Sequence, residues 1–469
     1  MNFISLKNLE KRLDTIDEYE REPVPEKKQK GWKAFLGMYA GEHTAGTEFV
    51  IGPLFVVHGV TAGDLIWGLI AGNVLAVLSW AFLCAPIATK TRLTLYWQMK
   101  KICGSKLATI YNIVNAIMFC FLAGAMIAVS ATAVGLPFDI QMPALGDWLP
   151  SSVGWIITVF AVGSIITLVA ILGYNYVAWF ANIAFPWMLL VFVAAALAVL
   201  PNLGVTNFSD FWTVAQEKIW TGVPAEGQSK FTFWHVMFFA WFANMAMHIG
   251  MSDMSILRYA EKWQHGFSSG MGMFFGHFIA WIASGILTAA AAGAIAPGII
   301  AYNSAGLAGA VCVIIAGWTT ANPTIYRAGL AFQSVTPNWK RWKVTLFTGL
   351  ITSIFACFPA LVMKLLDFVA LYGLVLMPMG TVIFLDIMVF PKIGLIGNLA
   401  EKVNIHFNWA AGLTWFITLS LCLLINIYMG IEIFFLGLPG WFIAALLYIT
   451  MSFYYQNKIR KNKPQMAIP

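Results

Sequence analysis

Charged side chains are scarce in this sequence. Asp, Glu, Lys and Arg make up 10% of the 469 residues, whereas they make up about 25% of an ordinary soluble domain. Hydrophobic residues make up 60%. A soluble globule needs a largely polar surface, and this chain has too few polar side chains to cover one. The composition therefore excludes a soluble globular domain and predicts a protein that lies in the lipid bilayer.

The patterns of common catalytic sites are also missing. The sequence has no glycine-rich phosphate loop ending in Lys, no nucleophile elbow and no cluster of metal ligands. Glu42 and His43 are adjacent, so on a helix their side chains point about 100° apart. No second His follows His43 one turn later. We therefore predict that the protein is not an enzyme and holds no organic cofactor.

Cysteine is rare, and the six Cys residues lack the spacing of a metal site. They lie in apolar segments or in a loop expected in the cytosol, so no disulfide is expected. The net charge of +7 does not indicate a nucleic-acid partner, because the basic residues fall at the termini and in alternate short loops. The polar segment 1–30 contains no hydrophobic signal-peptide core, so no cleaved signal peptide is expected.

Long apolar windows fill most of the chain. A helix needs about 20 apolar residues to cross the hydrocarbon core, and we predict about 12 such helices in an all-α integral membrane protein. No soluble domain interrupts these windows, and the longest external loop is expected near 201–231. The predicted spans, numbered 1 to 12, are 33–58, 62–87, 106–134, 153–174, 177–200, 232–256, 266–297, 301–331, 343–364, 367–390, 408–428 and 431–454.

Lys and Arg set the predicted orientation. With the N-terminus inside, all but three of the 28 basic residues fall in segments expected on the cytosolic side. The exceptions are Lys218, Lys230 and Lys364. An excess of Lys and Arg is typical of cytosolic loops. We therefore predict a multi-pass protein of the cell membrane (plasma or inner) with both termini in the cytoplasm.

Spans 1, 6 and 8 carry polar residues that plain membrane anchors lack. Polar side chains at membrane depth are costly, and they usually face a binding site or a wet cavity. Spans 1 and 6 are five apart, and interrupted helices at matching positions of two halves indicate an inverted repeat with a site at the membrane midplane. The polar residues include Glu42, His43 and Glu48 in span 1, Asn244, His248 and Asp253 in span 6, and Thr319, Thr320 and Asn322 in span 8.

One face of span 8 presents oxygen ligands. Ala316, Thr319 and Thr320 share that face by i,i+3 and i,i+4 spacing. Two hydroxyls and a free carbonyl are hard ligands, and an unwound span 1 could add carbonyls near Glu42 and Ala45. This arrangement indicates a site for a small cation. The alternative is that the Thr hydroxyls bond back to the carbonyl one turn earlier, as they often do in membrane helices.

Several segments along the chain carry a family pattern. One of them joins Trp318-Thr319-Thr320, Asn322 and Tyr326 to Gly329-Leu330-Ala331. The others are Pro23-Val24-Pro25 with Lys27, Lys28 and Trp32, then Gly72-Asn73, Lys90-Thr91 and Leu93-Thr94, then Arg258-Tyr259, and finally Pro378, Gly380 and Asp386. Together they resemble the nucleobase:cation symporter-1 family, the purine–cytosine permease group. The resemblance follows chain order over most of the sequence.

This resemblance implies a LeuT-like fold, a five-plus-five inverted repeat with two extra C-terminal helices. The repeats would cover 33–200 and 232–390, with the external loop 201–231 between them. A cytosolic segment 1–32 would precede the first repeat. The extra helices would cover 391–455, and a cytosolic tail 456–469 would follow.

The resemblance also implies a sodium site between spans 1 and 8. Its ligands would be the helix carbonyls of Glu42 and Ala45 together with Ala316, Thr319 and Thr320. The substrate would lie among spans 1, 3, 6 and 8. Sodium is therefore the coupling ion that the resemblance implies, and a proton is the alternative.

The substrate site follows the family pattern poorly. That family holds its ring between an aromatic residue of helix 3 and one of helix 6, but span 3 has no Trp or Gln at depth, and Ala246 stands at the expected position in span 6. We predict that polar residues meet the edge of a heterocycle and that aromatic residues form its apolar faces, although any one of these aromatics could be a packing contact. The candidates are Asn115, Phe119, Phe121, Trp241, Asn244, His248 and Asn322.

The ionisable residues at depth leave alternatives open. The Glu42 carboxylate could join the cation shell, carry a proton, form a salt bridge, or be a satisfied carboxyl that caps the broken helix. His248 is either a ligand or a structural residue. Asp253 is expected to pair with Arg258 near the cytosolic end of span 6. Asp386 is either a gate or a helix-to-helix hydrogen bond.

The sequence therefore predicts a secondary transporter that takes up a nucleobase or related small heterocycle together with Na⁺ or H⁺. The poor match of spans 3 and 6 supports a second hypothesis within the same fold, a carrier of a vitamin precursor, a hydantoin-like compound or an amino acid. A membrane-embedded enzyme or receptor would need a catalytic cluster or a signalling domain, and the sequence contains neither.

Overall fold

The protein is helical throughout the part that the computed structural model describes, which is residues 6–140, 143, 147–150, 152–291, 296–358 and 365–462. Extended pairing in these residues is limited to isolated bridges that join Lys30 to Ala260 and Thr61 to Thr221. Nine of the described helices are long and apolar enough to cross a membrane. The predicted all-α membrane fold is confirmed.

The first half of the chain contains two short helices, a helix in two pieces and four long helices. Side-chain caps begin several of them, because the hydroxyls of Thr61, Thr94 and Ser152 accept hydrogen bonds from backbone N–H groups of the first turn. The helices are α1 (Leu6–Asp14), α2 (Lys33–Glu42), α3 (Glu48–Val57), α4 (Ala62–Thr91), α5 (Leu95–Cys103), α6 (Ser105–Val134), α7 (Val153–Ile171) and α8 (Tyr174–Val199).

The second half contains another divided helix, in three pieces, which follows one short helix. The helices are α9 (Phe211–Val214), α10 (Phe233–Phe242), α11 (Met245–His248), α12 (Met254–Leu257), α13 (Trp263–Ala291), α14 (Pro297–Val335), α15 (Arg341–Ala356), α16 (Leu365–Phe384), α17 (Leu399–Val403), α18 (Trp409–Met429) and α19 (Ile433–Asn462).

The nine long helices coincide with spans 2–5, 7, 8 and 10–12. Spans 1 and 6 fall on the divided helices α2–α3 and α10–α12. Span 9 coincides with α15, which ends at Ala356. The remainder of that span, with Lys364, and the end of the tail lie outside the described residues, so the count of about 12 helices stays a prediction.

The interruptions predicted in spans 1 and 6 are confirmed. Between α2 and α3 the chain leaves the helix, and a Cβ at Gly46 would meet the Val129 side chain at 2.7 Å, so this turn lies close against α6. Between α11 and α12, Met251 adopts a left-handed φ of 66°, which ordinary side chains rarely adopt. Irregular backbone at membrane depth is tolerated where it is buried in protein or lines a cavity.

Helices α6 and α14 form the centre of the bundle. Their backbones approach closely at Gly317, where an added Cβ would collide with the Ser130 side chain and with the Met126 carbonyl of α6. Small residues at such contacts allow membrane helices to pack without a side chain between them. The outer helices expose large apolar side chains such as Trp179, Leu190 and Phe416, as expected of surfaces that contact lipid.

The N-terminal segment packs across one end of the bundle. The buried Glu18 carboxylate accepts hydrogen bonds from the Tyr326 hydroxyl at 2.7 Å, the Tyr259 hydroxyl at 2.9 Å and the Tyr174 backbone N–H at 3.0 Å. Arg258 donates to the backbone carbonyl of Glu18 at 2.7 Å. The segment therefore ties together the ends of α8, α12 and α14 on the side predicted to face the cytosol.

Candidate functional site

A cavity lies where the two divided helices meet the centre of the bundle. Its apolar wall comes mainly from α3, α6, α11 and α16. Its polar wall comes from the α2–α3 break, the α10–α11 break, α13 and α14. The polar lining residues are Glu42, His43, Thr47, Glu48, Asn244, His277, Thr320, Thr324 and Tyr372.

Three of the residues predicted to bind a cation, Glu42, Ala45 and Thr320, line one edge of this cavity. The Thr320 hydroxyl donates to the Glu42 carbonyl at 2.9 Å, which joins α14 to the end of α2. Both Thr hydroxyls also donate to the Ala316 carbonyl, Thr319 at 3.0 Å and Thr320 at 3.3 Å, so the alternative bond to the carbonyl one turn earlier is present. Ala45 lines the cavity, although its carbonyl accepts from the Glu48 N–H at 3.2 Å. Hydroxyl and carbonyl oxygens in this arrangement fit a small hard cation.

The Glu42 carboxylate points away from those oxygens. It pairs with Arg327 through two contacts of 2.5 and 3.0 Å, and Arg327 also contacts Asp253 at 2.6 Å. Asp253 in turn accepts hydrogen bonds from Trp80 Nε1 at 2.6 Å and the Tyr39 hydroxyl at 3.1 Å. The structure therefore realises the salt-bridge alternative for Glu42.

One sequence expectation about this network was wrong. Asp253 pairs with Arg327 rather than with Arg258, whose guanidinium bonds to the backbone at residues 18 and 19 instead. Arg327 is one of the basic residues assigned to the cytosolic side, and it is fully buried within α14. A signal was present, because Arg327 lies within span 8 and a buried guanidinium needs carboxylate partners.

A second cluster surrounds Glu48 at the start of α3. Trp281 Nε1 of α13 donates to one carboxylate oxygen, and His277 Nε2 lies 3.8 Å from the other. The same His277 nitrogen is 3.4 Å from Asn244 Nδ2, and the His43 ring centroid is 4.9 Å from that of His277. This cluster connects α2, α3, α13 and the α10–α11 break around the cavity.

The seven predicted substrate residues differ in their position relative to the cavity. Asn244 is the one that lines it. Phe119 packs edge-on against Tyr372, a lining residue, at 5.1 Å between ring centroids. Asn115 and Asn322 are fully buried, and their side-chain amides have no hydrogen-bond partner among the described residues. These assignments stay predictions.

The other three candidates make packing contacts away from the lining. His248 Nε2 donates to the Trp241 carbonyl at 3.0 Å, so this hydrogen bond joins α11 to α10. Trp241 Nε1 donates to Ser79 Oγ of α4 at 2.9 Å. Phe121 stacks on Phe355 at 3.9 Å between ring centroids.

The lining also contains residues that the sequence analysis did not select. Among the sequence predictions, Glu48 appears as a polar residue without a role, and His277 and Tyr372 do not appear. For His277 a signal existed, since an ionisable residue inside an apolar span usually faces a site. Tyr372 carries no such signal, because tyrosine is common in packed membrane helices.

Asp386 lies outside this region and joins two helices. Its carboxylate accepts from the Asn398 N–H at 2.7 Å and from the Tyr448 hydroxyl of α19 at 3.1 Å. The helix-to-helix hydrogen bond, one of its two predicted roles, is therefore present.

Comparison with known proteins identifies the class of fold. No family model and no curated protein matches the sequence. Among solved structures, a closed conformation of Mhp1, a nucleobase-cation-symport-1 family transporter with bromovinylhydantoin bound, matches with a TM-score of 0.71 and 14% identity over 94% of this chain and 96% of that chain. An inward-facing conformation of Mhp1 gives 0.69 and 13% identity, with 93% of each chain covered.

A more distant pair of proteins shares the same fold. A Na⁺-coupled sialic acid symporter in a substrate-bound outward-open state gives a TM-score of 0.65 and 15% identity over 94% of this chain and 93% of that chain. A manganese transporter of Eremococcus coleocola gives 0.57 and 11% identity over 92% and 94%. The LeuT-like fold expected from the sequence resemblance is therefore confirmed. It is the fold of membrane transporters, and the Mhp1 structures share it over nearly the whole chain.

Proposed function

We propose that the protein is a secondary active transporter of the nucleobase:cation symporter-1 family. It takes up a nucleobase or a related small heterocycle together with Na⁺ or H⁺ by alternating access, across the cell membrane and with both termini in the cytoplasm. The observation that carries this proposal is the hydrogen bond between the Thr320 hydroxyl and the Glu42 carbonyl at the edge of the central cavity.

The proposal assigns the cation to the oxygens of that edge. The ligands are the carbonyls of Glu42, Ala45 and Ala316 and the hydroxyls of Thr319 and Thr320. A cation bound there holds the broken end of α2 against α14 and so favours the state in which the cavity accepts substrate. Coupling requires only that cation and substrate favour the same state.

The properties of the structural relatives support this assignment. The Mhp1 structure holds bromovinylhydantoin, a small heterocyclic compound, and the sialic acid symporter is Na⁺-coupled. Of the predicted substrate residues, Asn244 lines the cavity and Phe119 packs against the lining residue Tyr372. We propose that the heterocycle binds in this cavity, with the buried amides Asn115 of α6 and Asn322 of α14 as further binding residues.

The experiment that tests the cation site measures uptake into proteoliposomes with a sodium gradient, a proton gradient or neither. Thr320→Val removes the hydroxyl and keeps the side-chain shape, and we expect it to raise the sodium concentration for half-maximal uptake by at least tenfold. The matched control is Thr348→Val, because the buried Thr348 hydroxyl bonds only within α15. Uptake that depends on neither gradient and is unchanged in Thr320→Val would refute the proposal.

One observation favours the second candidate, a carrier of a vitamin precursor, hydantoin-like compound or amino acid. The described cavity lining contains Tyr372 as its single Phe, Tyr or Trp residue, so the wall lacks a pair of aromatic rings that would sandwich a flat base. A competition panel of nucleobases, hydantoins, pyrimidine precursors and amino acids separates the two candidates. Competition by amino acids alone would favour the second.

A further inference from the structure

A groove on the outside of the bundle runs between the start of α18 and the end of α19. Its walls include Trp409 and Leu413 of α18 and Thr450, Tyr454 and Tyr455 of α19. These two helices are the least buried of the nine long helices. An exposed apolar surface on a membrane-spanning helix contacts lipid, so this groove faces the bilayer and not the central cavity.

The aromatic rings of the groove indicate its depth in the membrane. Trp409 is 58% exposed and Tyr454 is 73% exposed. Trp and Tyr are enriched where the hydrocarbon core meets the lipid headgroups, because their rings are apolar and their N–H and O–H groups are polar. Trp409 begins α18, and Tyr454 lies about two turns before the end of α19, both on the side predicted to face the cytosol. The groove therefore lies where the headgroup of an inner-leaflet lipid joins its acyl chains.

Basic side chains stand at the headgroup end of this groove. Lys458 and Lys461 follow Tyr454 at i+4 and i+7, so the three residues share one face of α19. Just before α18, the Lys106 backbone N–H donates to the His406 carbonyl at 2.9 Å, which places Lys106 beside the start of that helix. The three lysines are exposed, and the ion pairs among the described residues involve none of them.

Helices α18 and α19 contain no acidic residue. After Glu432 the sequence has four Lys and Arg residues and no Asp or Glu. The carboxylate of α17, Glu401, is paired with Lys101 at 3.0 Å. The groove thus combines apolar walls with positive charge that this part of the chain does not neutralise. Basic pockets between membrane helices on the cytosolic side bind anionic lipid headgroups.

We propose that this groove binds an anionic phospholipid of the inner leaflet. One acyl chain lies between the aromatic walls, and the phosphate group meets Lys458 and Lys461, with Lys106 on the other side. The site goes beyond the proposed transport function, since it lies on the outside of the bundle and needs neither cation nor substrate. A lipid bound there joins α18 and α19 to the start of α6.

A second copy of this chain is a less suitable occupant. Most dimers have two-fold symmetry, so the same patch of both copies meets at the interface. Contact through this groove brings the two sets of lysines together, and no acidic residue of α18 or α19 offsets them. Like charges at an interface oppose association. The phosphate of a lipid supplies the negative charge that a second copy lacks here.

The test uses the full-length protein in detergent and measures lipid binding by native mass spectrometry. The probes are anionic phosphatidylglycerol and zwitterionic phosphatidylcholine with the same acyl chains. We expect phosphatidylglycerol to bind about fivefold more tightly or better. Lys458→Gln combined with Lys461→Gln is expected to remove most of that preference. Thr450→Trp fills the groove from an exposed position and is expected to weaken the binding of both lipids by about threefold or more.

The matched control combines Lys11→Gln with Lys27→Gln, because both lysines are exposed in the N-terminal segment on the same predicted side. We expect the control to keep the preference for phosphatidylglycerol. Equal affinity for the two lipids, or a preference that survives in the Lys458→Gln and Lys461→Gln protein, overturns the inference. A protein that is dimeric in solution and becomes monomeric in Thr450→Trp also overturns it, because a second copy then covers the groove.

A second measurement decides the question if a variant fails to fold. A phosphatidylglycerol with a photoreactive acyl chain is cross-linked to the unmodified protein, and the labelled peptides are identified by mass spectrometry. Labelling concentrated in 409–413 and 450–455 supports the inference. Labelling spread evenly over the lipid-facing helices, with no excess in these two segments, overturns it.

Discussion

Glu42 and Glu48 stand on either side of the break between α2 and α3, and they have opposite surroundings. Glu42 is held by two contacts to Arg327, which also binds Asp253. Glu48 has a Trp281 N–H on one oxygen and a histidine 3.8 Å from the other. Both are buried, and both line the same cavity.

The difference separates a carboxylate paired with a guanidinium from one that has no such partner. Around Glu42, a guanidinium neutralises the carboxylate and locks α2 to α14 and α12. Around Glu48, a Trp N–H and a histidine surround the carboxyl group, and no Lys or Arg of the described residues lies within 4 Å of it. Burial without a cationic partner disfavours the charged form of a carboxyl group.

The largest expected effect comes from removing the guanidinium. Arg327→Met leaves two buried carboxylates without a cation, and breaking a buried pair costs about 3–5 kcal/mol. We expect loss of monodisperse protein on detergent extraction, or a strongly lowered melting temperature. The measurement is fluorescence-detected size exclusion with a thermal ramp.

The control for that variant is Arg460→Met, since the Arg460 guanidinium makes a single exposed hydrogen bond, to the Gly394 carbonyl. Combining Arg327→Met with Glu42→Gln and Asp253→Asn removes all three charges, and we expect part of the lost stability to return. If the Arg327→Met protein were as stable as the control, the salt-bridge network would not contribute to the stability of the fold.

The second prediction compares the two glutamates directly. Glu42→Gln breaks the pair with Arg327 and is expected to lower the free energy of unfolding by about 1–3 kcal/mol. Glu48→Gln removes a charge without a cationic partner, so its stability is expected to stay equal or to rise by about 1 kcal/mol. Melting temperatures of both variants, measured without ligand, test this contrast. If the two substitutions destabilised the protein equally, the Arg327 pair would not be what distinguishes Glu42 from Glu48.

The sequence predicted the parts of this site that depend on local chemistry. The interruptions of spans 1 and 6 follow from polar residues and Gly inside apolar windows. The convergence of Thr320 with the end of α2 was expected from a resemblance that follows chain order. The first signal lies within single helices, where residue spacing fixes which side chains share a face, whereas the second came from the resemblance and not from spacing.

The partners of the buried charges could not be predicted in that way. Arg327 meets Glu42 across 285 residues of sequence and Asp253 across 74, and Trp281 meets Glu48 across 233. Nothing in the local pattern of α14 or α13 specifies which carboxylate is nearest. Tertiary packing decides it, so the sequence left the salt bridge of Glu42 as one of several alternatives and gave no role to Glu48.

The third prediction concerns another buried glutamate, Glu18, on the side predicted to be cytosolic. Tyr326→Phe removes the hydroxyl that donates to Glu18 at 2.7 Å, and losing such a bond costs about 1–2 kcal/mol. We expect the N-terminal segment to detach more often, so that trypsin cleaves near Lys27 several times faster. Tyr454→Phe, at an exposed position on α19, is the control. Unchanged cleavage would show that this contact does not hold the segment.

The smallest effect is expected where charges are paired but exposed. Lys340 hydrogen-bonds Asp14 at 2.6 Å and lowers the pKa of that carboxyl, with Trp342 as a second donor. Because the pKa of Asp14 is lower in the folded protein, the contact contributes stability at pH values above the ordinary pKa of Asp. That contribution is lost as the pH falls through the lowered pKa. Water and salt screen an exposed pair, because the Debye length shrinks from about 10 Å at 0.1 M salt to about 3 Å at 1 M.

Asp14→Asn is therefore expected to leave the melting temperature unchanged within error at pH 7. High salt should accelerate tryptic cleavage within α1 in the unmodified protein and have less effect in the variant. Glu48 is the opposite case, since its carboxylate is hidden from salt and from water. A salt-insensitive Asp14 contact, or a loss of stability in Asp14→Asn as large as that of Glu42→Gln, would mean that burial is not what distinguishes these carboxylates.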